Sequence, residues 1–487
     1  MPDARQANHH VGDVPMHVGG TPLDPHDGQW LDVVDPASGA TIGRIPRGGE
    51  AEIEAAVAAA RQAADDPAWR RLRPSARAAL LRRAADLVRE RLDELTAIES
   101  RDVGKPLSQA RGDVMSGAKF LDYCAGAVDK MHGYTIPVEP GALDYTQRVP
   151  WGVSAHIVPW NFPFHLATRG VVPALAMGNA VVLKPAEDAS LSCLALADLL
   201  TEAGFPAGTI NVVTGLGSEA GAALASHPQI DHLTFTGSVA TGAAVTRLTS
   251  DNVIPLHLEL GGKSPQIVLD DADLDRAIPV IVKSFVVNAG QTCSAGTRLL
   301  VHERVHRAVT ERVVEAVRRL RVGPWHEDPD MGPLISLRQR ARVEGFLERA
   351  RHEGLRPLVG GGVPDRSGFY VDATVFDDVP ATSTLFQEEV FGPVLTVTPF
   401  TDDDMAVKLA NATRYGLLAA VWTRDLSRAF RFVDDLQAGQ VYVNSYGLAE
   451  STPLPFGGMK RSGHGRDKGL EGLLTYSQLK NVGITYA

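Results

Sequence analysis

The chain has 487 residues, 44% hydrophobic and 22% charged, which is typical of a globular protein with two to four domains. Its net charge of −10 argues against nucleic acid or an anionic membrane surface as a partner. Three cysteines cannot form a disulfide framework, and no run of 18 apolar residues is present, so a cytoplasmic protein without a membrane-spanning helix is expected.

The first 20 residues are polar and lack the apolar core of a secretory signal. They predict a mobile tail. His9, His10 and His17 lie in this stretch, but their spacing fits no standard metal site. We therefore expect no metal.

Hydrophobic patterning predicts an N-terminal region of hairpins and helices. The alternating segments 30–36 and 40–46 indicate a hairpin, and 75–99 indicates one long amphipathic helix. A second pair of strands, 134–138 and 143–149, needs a partner sheet because a lone hairpin is marginal in water.

After Pro150 strands and helices alternate, which predicts a parallel, doubly wound sheet covered on both faces. Such sheets bind ligands beyond the carboxyl ends of their strands. The predicted strands are 153–158, 180–184, 210–214 and 232–236, with helices at 164–177, 190–203 and 217–226.

A second unit of similar pattern begins beyond Pro255 and ends in a strand at 475–484. Its predicted strands are 266–269, 298–301, 394–399, 418–422 and 440–444. Its predicted helices are 274–287, 303–321, 336–353, 404–411 and 427–436.

The three cysteines have different settings. Cys124 and Cys193 lie in predicted helices and are interpreted as small buried hydrophobic residues. Cys293 lies in a loop of small and polar residues, with the sequence NAGQTCS at 288–294. An isolated cysteine is more often structural than catalytic, so both interpretations stay open from this residue alone.

Two glycine-rich turns follow strands and could bind phosphate at a helix N-terminus. The segment 215–220 fits the pattern G-x-G-x-x-A, and 235–242 has the sequence FTGSVATG. Lys184 and Glu187 follow another strand, where they could bind a ribose or form a surface ion pair.

Four further motifs accompany Cys293, and together the five are highly specific. They are PWNFP at 159–163, LELGGKSP at 258–265, EEVFGP at 388–393 and PFGGMKRSG at 455–463. In this order they resemble the NAD(P)-dependent aldehyde dehydrogenase superfamily, from about Trp30 to the C-terminus.

The resemblance implies an α/β fold with a Rossmann-like cofactor domain, an α/β catalytic domain and a small β oligomerisation element. The expected bounds are 1–128 and 150–256 for NAD binding, 257–465 for catalysis, and 129–149 with 466–487 for oligomerisation. It also implies NAD as cofactor, with NADP as the alternative, a small-molecule aldehyde as substrate, and a homodimer or homotetramer.

By motif, the resemblance makes Cys293 the nucleophile, Glu259 the general base and Asn161 the oxyanion donor. It makes 215–220 a connecting turn. The implied cofactor residues are Trp160, Lys184, Glu187, Gly237, Ser238, Glu389 and Phe391. The implied substrate residues are Phe162 and Arg169.

These residue types suit aldehyde oxidation. A thiolate adds to the aldehyde, and amide donors stabilise the oxyanion, after which a thioester is left for water to hydrolyse. Glu259 as a base favours water over coenzyme A. The alternatives are a thiol hydrolase or acyltransferase using His257 or His165, although no Cys-His-Asn signature is visible, and a non-catalytic structural homologue.

Two residues depart from the family pattern. Val239 replaces the frequent threonine, and Asp467 replaces the usual glutamate after Gly465-Arg466. Neither is expected to touch Cys293, Glu259 or Asn161, although Val239 bears on the contact with the pyrophosphate. Arg169 lies on the helix that lines the family's aldehyde tunnel, which predicts short polar or acidic aldehydes as substrates. The alternative is that Arg169 pairs with a neighbouring carboxylate.

Overall fold

The computed structural model of the chain describes residues 11–447 and 452–486. The strands are β1 (Gly12–Asp13), β2 (Met16–Val18), β3 (Thr21–Leu23), β4 (Trp30–Val34), β5 (Thr41–Pro46), β6 (Thr135–Ile136), β7 (Ala142–Pro150), β8 (Val153–Val158), β9 (Ala180–Pro185), β10 (Ile210–Val212), β11 (His232–Gly237), β12 (Leu256–Leu260), β13 (Pro265–Val268), β14 (Arg298–His302), β15 (Pro357–Val359), β16 (Thr374–Phe376), β17 (Val394–Phe400), β18 (Tyr415–Gly416), β19 (Leu418–Trp422), β20 (Gln440–Val443), β21 (Met459–Lys460), β22 (Gly463–His464) and β23 (Ser477–Thr485).

The helices are α1 (Glu50–Asp65), α2 (Pro67–Arg70), α3 (Pro74–Glu90), α4 (Leu92–Val103), α5 (Leu107–Ala127), α6 (Pro163–Met177), α7 (Leu191–Glu202), α8 (Ala222–Ser226), α9 (Val239–Thr249), α10 (Leu274–Val286), α11 (Glu303–Arg318), α12 (Leu337–His352), α13 (Thr384–Gln387), α14 (Asp403–Asn411), α15 (Leu426–Asp435) and α16 (Gly469–Thr475). None of them, within the described residues, is long and apolar enough to cross a membrane.

The first sheet has the strand order β22-β12-β11-β8-β9-β10-β2-β3. Its five central strands are parallel, as the alternation of strands and helices predicted. Both ends are antiparallel: β2 and β3 close one end, and β22 closes the other. The central strands therefore all present their carboxyl ends to one edge of the sheet.

Successive residues of β9 point to opposite faces of this sheet. Val181 and Leu183 pack in an apolar cluster with α3, α5, α6 and α7, whereas Ala180 and Val182 pack in a second cluster with α1, α8 and α9. Burial on both faces explains why this strand has a continuous apolar sequence rather than an alternating one.

The second sheet has the order β15-β16-β17-β14-β13-β19-β20. Six of its strands are parallel, and only the edge strand β15 is antiparallel. One large apolar cluster, to which α10, α11, α12, α14 and α15 contribute, covers it. The loop between α10 and β14 carries Cys293.

The third sheet joins β6, β7 and β23. Nine residues of β23 pair with β7 in antiparallel register, from Ser477 with Pro150 to Thr485 with Ala142. The hairpin around Gly141 thus has the C-terminal strand as its partner. In the hairpin, only Thr135 and Ile136 of the predicted strand 134–138 pair regularly.

Two expectations about the N-terminal region are wrong. Residues 12–23 form β1, β2 and β3 rather than a mobile tail, because β2 completes the first sheet and buries Met16. His17 is also buried and hydrogen bonded to Asp198 at 3.0 Å, whereas His9 and His10 lie outside the described residues. The predicted single helix 75–99 is divided at Arg91 into α3 and α4.

The first sheet extends past residue 257, the expected domain boundary. Strand β12 pairs in parallel with β11 along Leu256–Leu260, so Glu259 belongs to the first sheet. Residues 463 and 464, assigned to the catalytic segment, pair with β12 as well. The change from one sheet to the other falls at Gly261 and Gly262.

Candidate active site

A cavity of about 1080 Å³ draws its lining from both sheets. Asn161 follows β8, Gly237 ends β11 and Glu259 lies on β12, while Cys293 comes from the loop of the second sheet. The cavity therefore lies where parallel strands of the first sheet end, which is where doubly wound sheets bind ligands.

The loop before Cys293 has an unusual backbone. Helix α10 ends at Val286, and Asn288 and Ala289 both adopt left-handed conformations, with φ of 50° and 52°. Gln291 holds the loop from within, since its Nε2 donates to Asn288 O at 2.9 Å and its Oε1 accepts from Ile335 N at 2.9 Å. Such strained conformations persist only where the surroundings fix them.

This loop leaves Cys293 partly exposed to the cavity, whereas Cys124 and Cys193 are buried. The surrounding protein removes enough water to raise the pKa of the Cys293 thiol to about 12. The guanidinium of Arg169 opposes this shift in pKa, and the carboxyl groups of Glu389 and Glu259 add to it. The free thiol is therefore the resting form at neutral pH.

Asn161 is tied to the cysteine loop by two hydrogen bonds. Its side-chain Nδ2 donates to Gln291 O at 2.9 Å, and its backbone carbonyl accepts from Asn288 Nδ2 at 2.7 Å. Asn161 is 3% exposed, so the contact with Gln291 rather than solvent holds the orientation of its side-chain amide. An amide nitrogen has two protons, and one remains for an oxyanion beside Cys293.

Glu259 is almost completely buried at the cavity wall. Its Oε1 lies 3.2 Å from His257 Nε2, and its Oε2 has no hydrogen-bond partner among the described residues. Burial raises the pKa of Glu259 to about 7, an effect that the contact with His257 reduces and the charge of Asp467 increases. A carboxyl group with this pKa can exchange protons at neutral pH.

His257 connects Glu259 to two further buried charges. Its Nδ1 lies 3.6 Å from Asp467 Oδ1, which is ion-pair distance, and Arg169 Nη2 donates to Asp467 Oδ2 at 2.7 Å. The Arg169 guanidinium also lies over the ring of Phe456, 4.5 Å from its centre. Asp467 therefore acts on Glu259 through a shared histidine rather than by direct contact.

Glu389 reaches the same cavity from the second sheet. Its Oε1 accepts a hydrogen bond from Gly262 N at 3.0 Å, and burial raises its pKa to about 7. A side chain at Gly261 would collide with this carboxyl group, and one at Gly262 would lie 2.5 Å from Cys293 O. The two glycines thus allow the motif after β12 to approach both residues closely.

The start of α9 offers a site for the pyrophosphate of a dinucleotide. Gly237 and Ser238 line the cavity, and Ser238 caps α9 by accepting from Thr241 N at 3.1 Å. Free N–H groups at a helix N-terminus bind anionic phosphate. Val239 does not weaken this cap, because the side chain of Ser238 forms it.

Lys184 and Glu187, the residues implied for the adenosine ribose, lie at the end of β9 and just after it, outside the lining of the cavity. Lys184 Nζ is 3.3 Å from Glu187 Oε2. Burial raises the pKa of Glu187, but the Lys184 ammonium outweighs it and the pKa lies below its ordinary value. An ionised carboxylate beside an ammonium suits two vicinal hydroxyl groups, so this pair fits an adenosine ribose.

The competing glycine turn at 215–220 has a different environment. Gly215 packs against Gly48, and Glu219 of this turn forms an ion pair with Arg47 at 2.5 Å. The helix that was expected from Gly217 begins as a single π-helical turn. The turn does not belong to the cavity lining, in agreement with a connecting role.

Aromatic residues of the motifs also line the cavity. Trp160 and Phe391 meet edge to face with ring centres 5.3 Å apart. Phe162 lies 4.3 Å from the buried ammonium of Lys105, which is paired with Glu99 at 3.0 Å. The motifs predicted that these three rings belong to the site, but they did not indicate the ammonium of Lys105 beside Phe162.

Lys468 is a lining residue that the sequence did not indicate. Lys468 follows Asp467 with a left-handed backbone, φ 61°, and reaches the cavity. Burial lowers its pKa to about 8, with a further contribution from Arg169, while Asp467 acts in the opposite direction. The signal available in the sequence was its position directly after Asp467, in a segment assigned to oligomerisation.

Comparisons with known proteins agree with this geometry. The sequence profile of the Aldehyde dehydrogenase family matches residues 23–482. Hydroxyisobutyraldehyde dehydrogenase of Mycolicibacterium austroafricanum is 43% identical over 473 residues, which are 96% of this chain and 93% of that protein.

Solved structures are similar over the whole chain. An NAD-dependent aldehyde dehydrogenase from Sinorhizobium meliloti has a TM-score of 0.97 at 39% identity, covering 100% of this chain and 97% of its own. The NAD⁺ complex of an aldehyde dehydrogenase from Bacillus cereus has a TM-score of 0.97 at 37% identity, covering 100% and 99%. The chain belongs to the aldehyde dehydrogenase family, which confirms the predicted family, fold and enzyme class.

Proposed function

We propose that the protein oxidises an aldehyde to a carboxylic acid through a thioester on Cys293, with water rather than coenzyme A as the acceptor. The observation that carries this proposal is that Cys293, Glu259 and Asn161 line one cavity together with the cofactor residues Gly237 and Glu389. A nucleophile, a base and an oxyanion donor are the three groups that acyl chemistry requires.

In the first step the sulfur of Cys293 adds to the aldehyde carbon. Because the thiol is protonated at rest, its proton must leave to solvent through the cavity as the C–S bond forms, and Glu259 stays ionised for the later hydrolysis. Asn161 donates to the developing oxyanion, a contact typically worth on the order of 10²–10³ in rate.

NAD is the cofactor, and when bound it accepts hydride from the tetrahedral carbon. Ser238 and Glu389 fit the parts that NAD and NADP share, and the NAD⁺ complex of the Bacillus cereus relative supports NAD over the alternative, NADP. Glu187 favours NAD further, since its carboxylate would repel a 2′-phosphate.

In the last step the chain hydrolyses its own thioester. Glu259 takes a proton from water through Oε2, the oxygen without a partner in the described structure, while the new C–O bond forms. Cleavage of the C–S bond releases the acid, and the proton held by the base returns to the sulfur. The cysteine and the carboxylate are then restored.

The substrate we propose is a short polar or acidic aldehyde, such as a hydroxyaldehyde or a semialdehyde. The relative from Mycolicibacterium austroafricanum is named for hydroxyisobutyraldehyde, which is short and hydroxylated. Cationic side chains, Arg169 and Lys468, line the cavity and favour oxygen-bearing substrates over long aliphatic ones.

Three broader expectations belong to the same proposal. The first sheet with its helices forms the NAD-binding domain, and the second forms the catalytic domain from Gly261 onward. The sheet of β6, β7 and β23 mediates a homodimer or homotetramer. We also propose a cytoplasmic location, which the low cysteine content supports.

The test is NADH formation, followed by absorbance, with a panel of aldehydes. Glycolaldehyde, succinic semialdehyde and hexanal should be compared in the parent protein and in Cys293→Ala. The variant should lose dehydrogenation while NAD still binds with parent affinity. A thiol hydrolase or a non-catalytic homologue would form no NADH in the parent, and turnover in Cys293→Ala at the parent rate would remove the cysteine from the mechanism.

A further inference from the structure

His257 and Glu259 are two residues apart on β12, so their side chains point to the same face of the sheet. Both are buried, at 3% and 5% exposure, and His257 Nε2 lies 3.2 Å from Glu259 Oε1. The alternation of the strand therefore places an imidazole against one oxygen of the carboxyl group, and leaves the other oxygen free.

The imidazole is held from its other side. Asp467 Oδ1 lies 3.6 Å from His257 Nδ1, and Asp467 is itself bonded to Arg169. Gly465 packs directly on the ring, where any side chain would collide with His257 Cδ2. The close contact with Gly465 fixes the position of the ring. The negative charge of Asp467 favours its protonated form.

We propose that His257 is a positioning residue for the base: it donates from Nε2 to Glu259 Oε1, keeps Glu259 ionised and leaves Oε2 to take the proton from water. The inference deepens the proposed function and rests on the assigned role of Glu259. Asp467 acts through His257, because its carboxylate favours the imidazolium, which is the better donor.

The charges around His257 determine whether its imidazole is protonated and can donate to Glu259. Burial lowers the pKa of His257, but the carboxylates of Asp467 and Glu259 outweigh burial and the charge of Arg169, so the pKa lies above its ordinary value. The imidazoles of His156 on β8, His232 on β11 and His464 on β22 lie near enough to interact with His257 electrostatically. Burial lowers the pKa of each of these three, so they stay neutral near pH 7.

A donor at Oε1 stabilises the ionised form of Glu259, so removing it raises the pKa of the base. A base acts only when ionised. The acidic limb of the hydrolysis step must then move to higher pH when His257 is lost.

Two substitutions separate the contact with Glu259 from the packing of the ring. In His257→Gln the amide nitrogen can stand near the former Nε2 and still donate to Oε1. In His257→Asn the shorter amide stands near the former Nδ1 and cannot reach Glu259. His464→Gln on β22 is the control for removing a neighbouring histidine.

The measurement is the rate of thioester hydrolysis against pH, from NADH bursts followed by steady-state turnover, with NAD affinity and melting temperature as checks on folding. His257→Asn should move the acidic limb upward by about one pH unit. His257→Gln should move it less and retain the higher rate at pH 7, and His464→Gln should leave it in place.

Equal profiles for His257→Gln and His257→Asn in folded protein would overturn the inference, as would a parent-like profile for His257→Asn. If His257→Asn does not fold, a shift of a full pH unit in His257→Gln, which keeps a donor at Oε1, would overturn it instead. Glu259→Gln distinguishes a failure of Glu259 as the base from a failure of His257 as its positioning residue. If it still hydrolyses the thioester at the parent rate, the proposed base is wrong; if it stalls while both His257 variants match the parent, only the inference fails.

Discussion

Arg169 donates a hydrogen bond to Asp467 over 2.7 Å, and both side chains are about nine-tenths buried. Arg169 therefore pairs with a neighbouring carboxylate, which was the alternative to a contact with substrate. Breaking one side of a buried pair leaves an uncompensated charge and typically costs about 3–5 kcal/mol. This arginine consequently has a structural function at the cavity wall, whatever it contributes to substrate binding.

Glu259→Gln should stall the enzyme after the first turnover. The amide cannot accept a proton from water, but it leaves Cys293 and Asn161 in place, so the thioester forms and accumulates. We expect a stoichiometric burst of NADH, steady-state turnover reduced on the order of 10²-fold, and an acyl adduct on the protein by mass spectrometry. Turnover equal to that of the parent would remove Glu259 from the mechanism.

The pH dependence of hydrolysis follows from the same residue. Burial raises the pKa of Glu259 to about 7, and only the ionised form is a base. Hydrolysis should therefore be slow below this pH and rise to a plateau above it. Turnover under hydrolysis-limited conditions, measured from pH 5 to 9, should give an acidic limb near pH 7. A limb close to the ordinary pKa of a glutamate, near ~4.3, would contradict a buried base.

Glu187 should make the protein prefer NAD over NADP. Its carboxylate is held ionised by Lys184 at 3.3 Å, where it can accept from ribose hydroxyls and repel a 2′-phosphate. We expect kcat/KM to favour NAD by at least about tenfold, equivalent to ~1.4 kcal/mol. Glu187→Gln keeps the shape of the side chain and removes its charge. It should reduce the preference for NAD, mainly by raising kcat/KM for NADP. A parent ratio that favours NADP would refute this assignment.

Much of this architecture could be predicted from the sequence because the relevant signals are local. Strand β9, buried on both faces, has a continuous apolar run at 180–183, and the motif around Cys293 is contiguous. The short strand β2 could not be recognised, since three residues show no periodicity. It is stabilised by pairing with β10, nearly 200 residues away along the chain.

The charged residues behind Glu259 could not be grouped from the sequence either, because they are distant along the chain. Arg169, His257 and Asp467 come from three separate segments, and no single-sequence pattern indicates that they meet. One part of this group was accessible: residues two apart on a strand share a face, so His257 could have been placed beside Glu259. This was not done because no strand was predicted over 256–260, where β12 lies.

The sheet of β6, β7 and β23 should assemble copies of the chain. Tyr134, Leu143, Leu479 and Ile484 are exposed on and beside it, at 42–68%. Apolar residues on an exposed sheet need a partner surface. Light scattering at micromolar concentration should give the mass of a dimer or tetramer, and Leu479→Lys with Ile484→Lys should lower it. A monomeric parent would contradict the prediction, and a charge-neutral Thr485→Ser serves as control.

The last prediction concerns which cation recognises the substrate. Arg169 is bound to Asp467, whereas Lys468 reaches the cavity from a left-handed backbone position. Burial lowers the pKa of Lys468 to about 8, so the ammonium is still mostly charged at pH 7. A cation of this kind should bind the carboxylate of a semialdehyde or the hydroxyl of a short hydroxyaldehyde.

Lys468→Met should therefore lower kcat/KM for succinic semialdehyde by about tenfold or more, the scale of one charged hydrogen bond. It should leave hexanal nearly unchanged, and Lys468→Arg should restore most of the loss because it keeps the charge. Arg169→Leu should instead lower the melting temperature and the rates with all aldehydes, because it leaves Asp467 buried without its partner. If hexanal were the better substrate of the parent, or if Arg169→Leu changed only the order of substrates in a fully stable protein, recognition by Lys468 would be wrong and Arg169 would be the residue that meets the substrate.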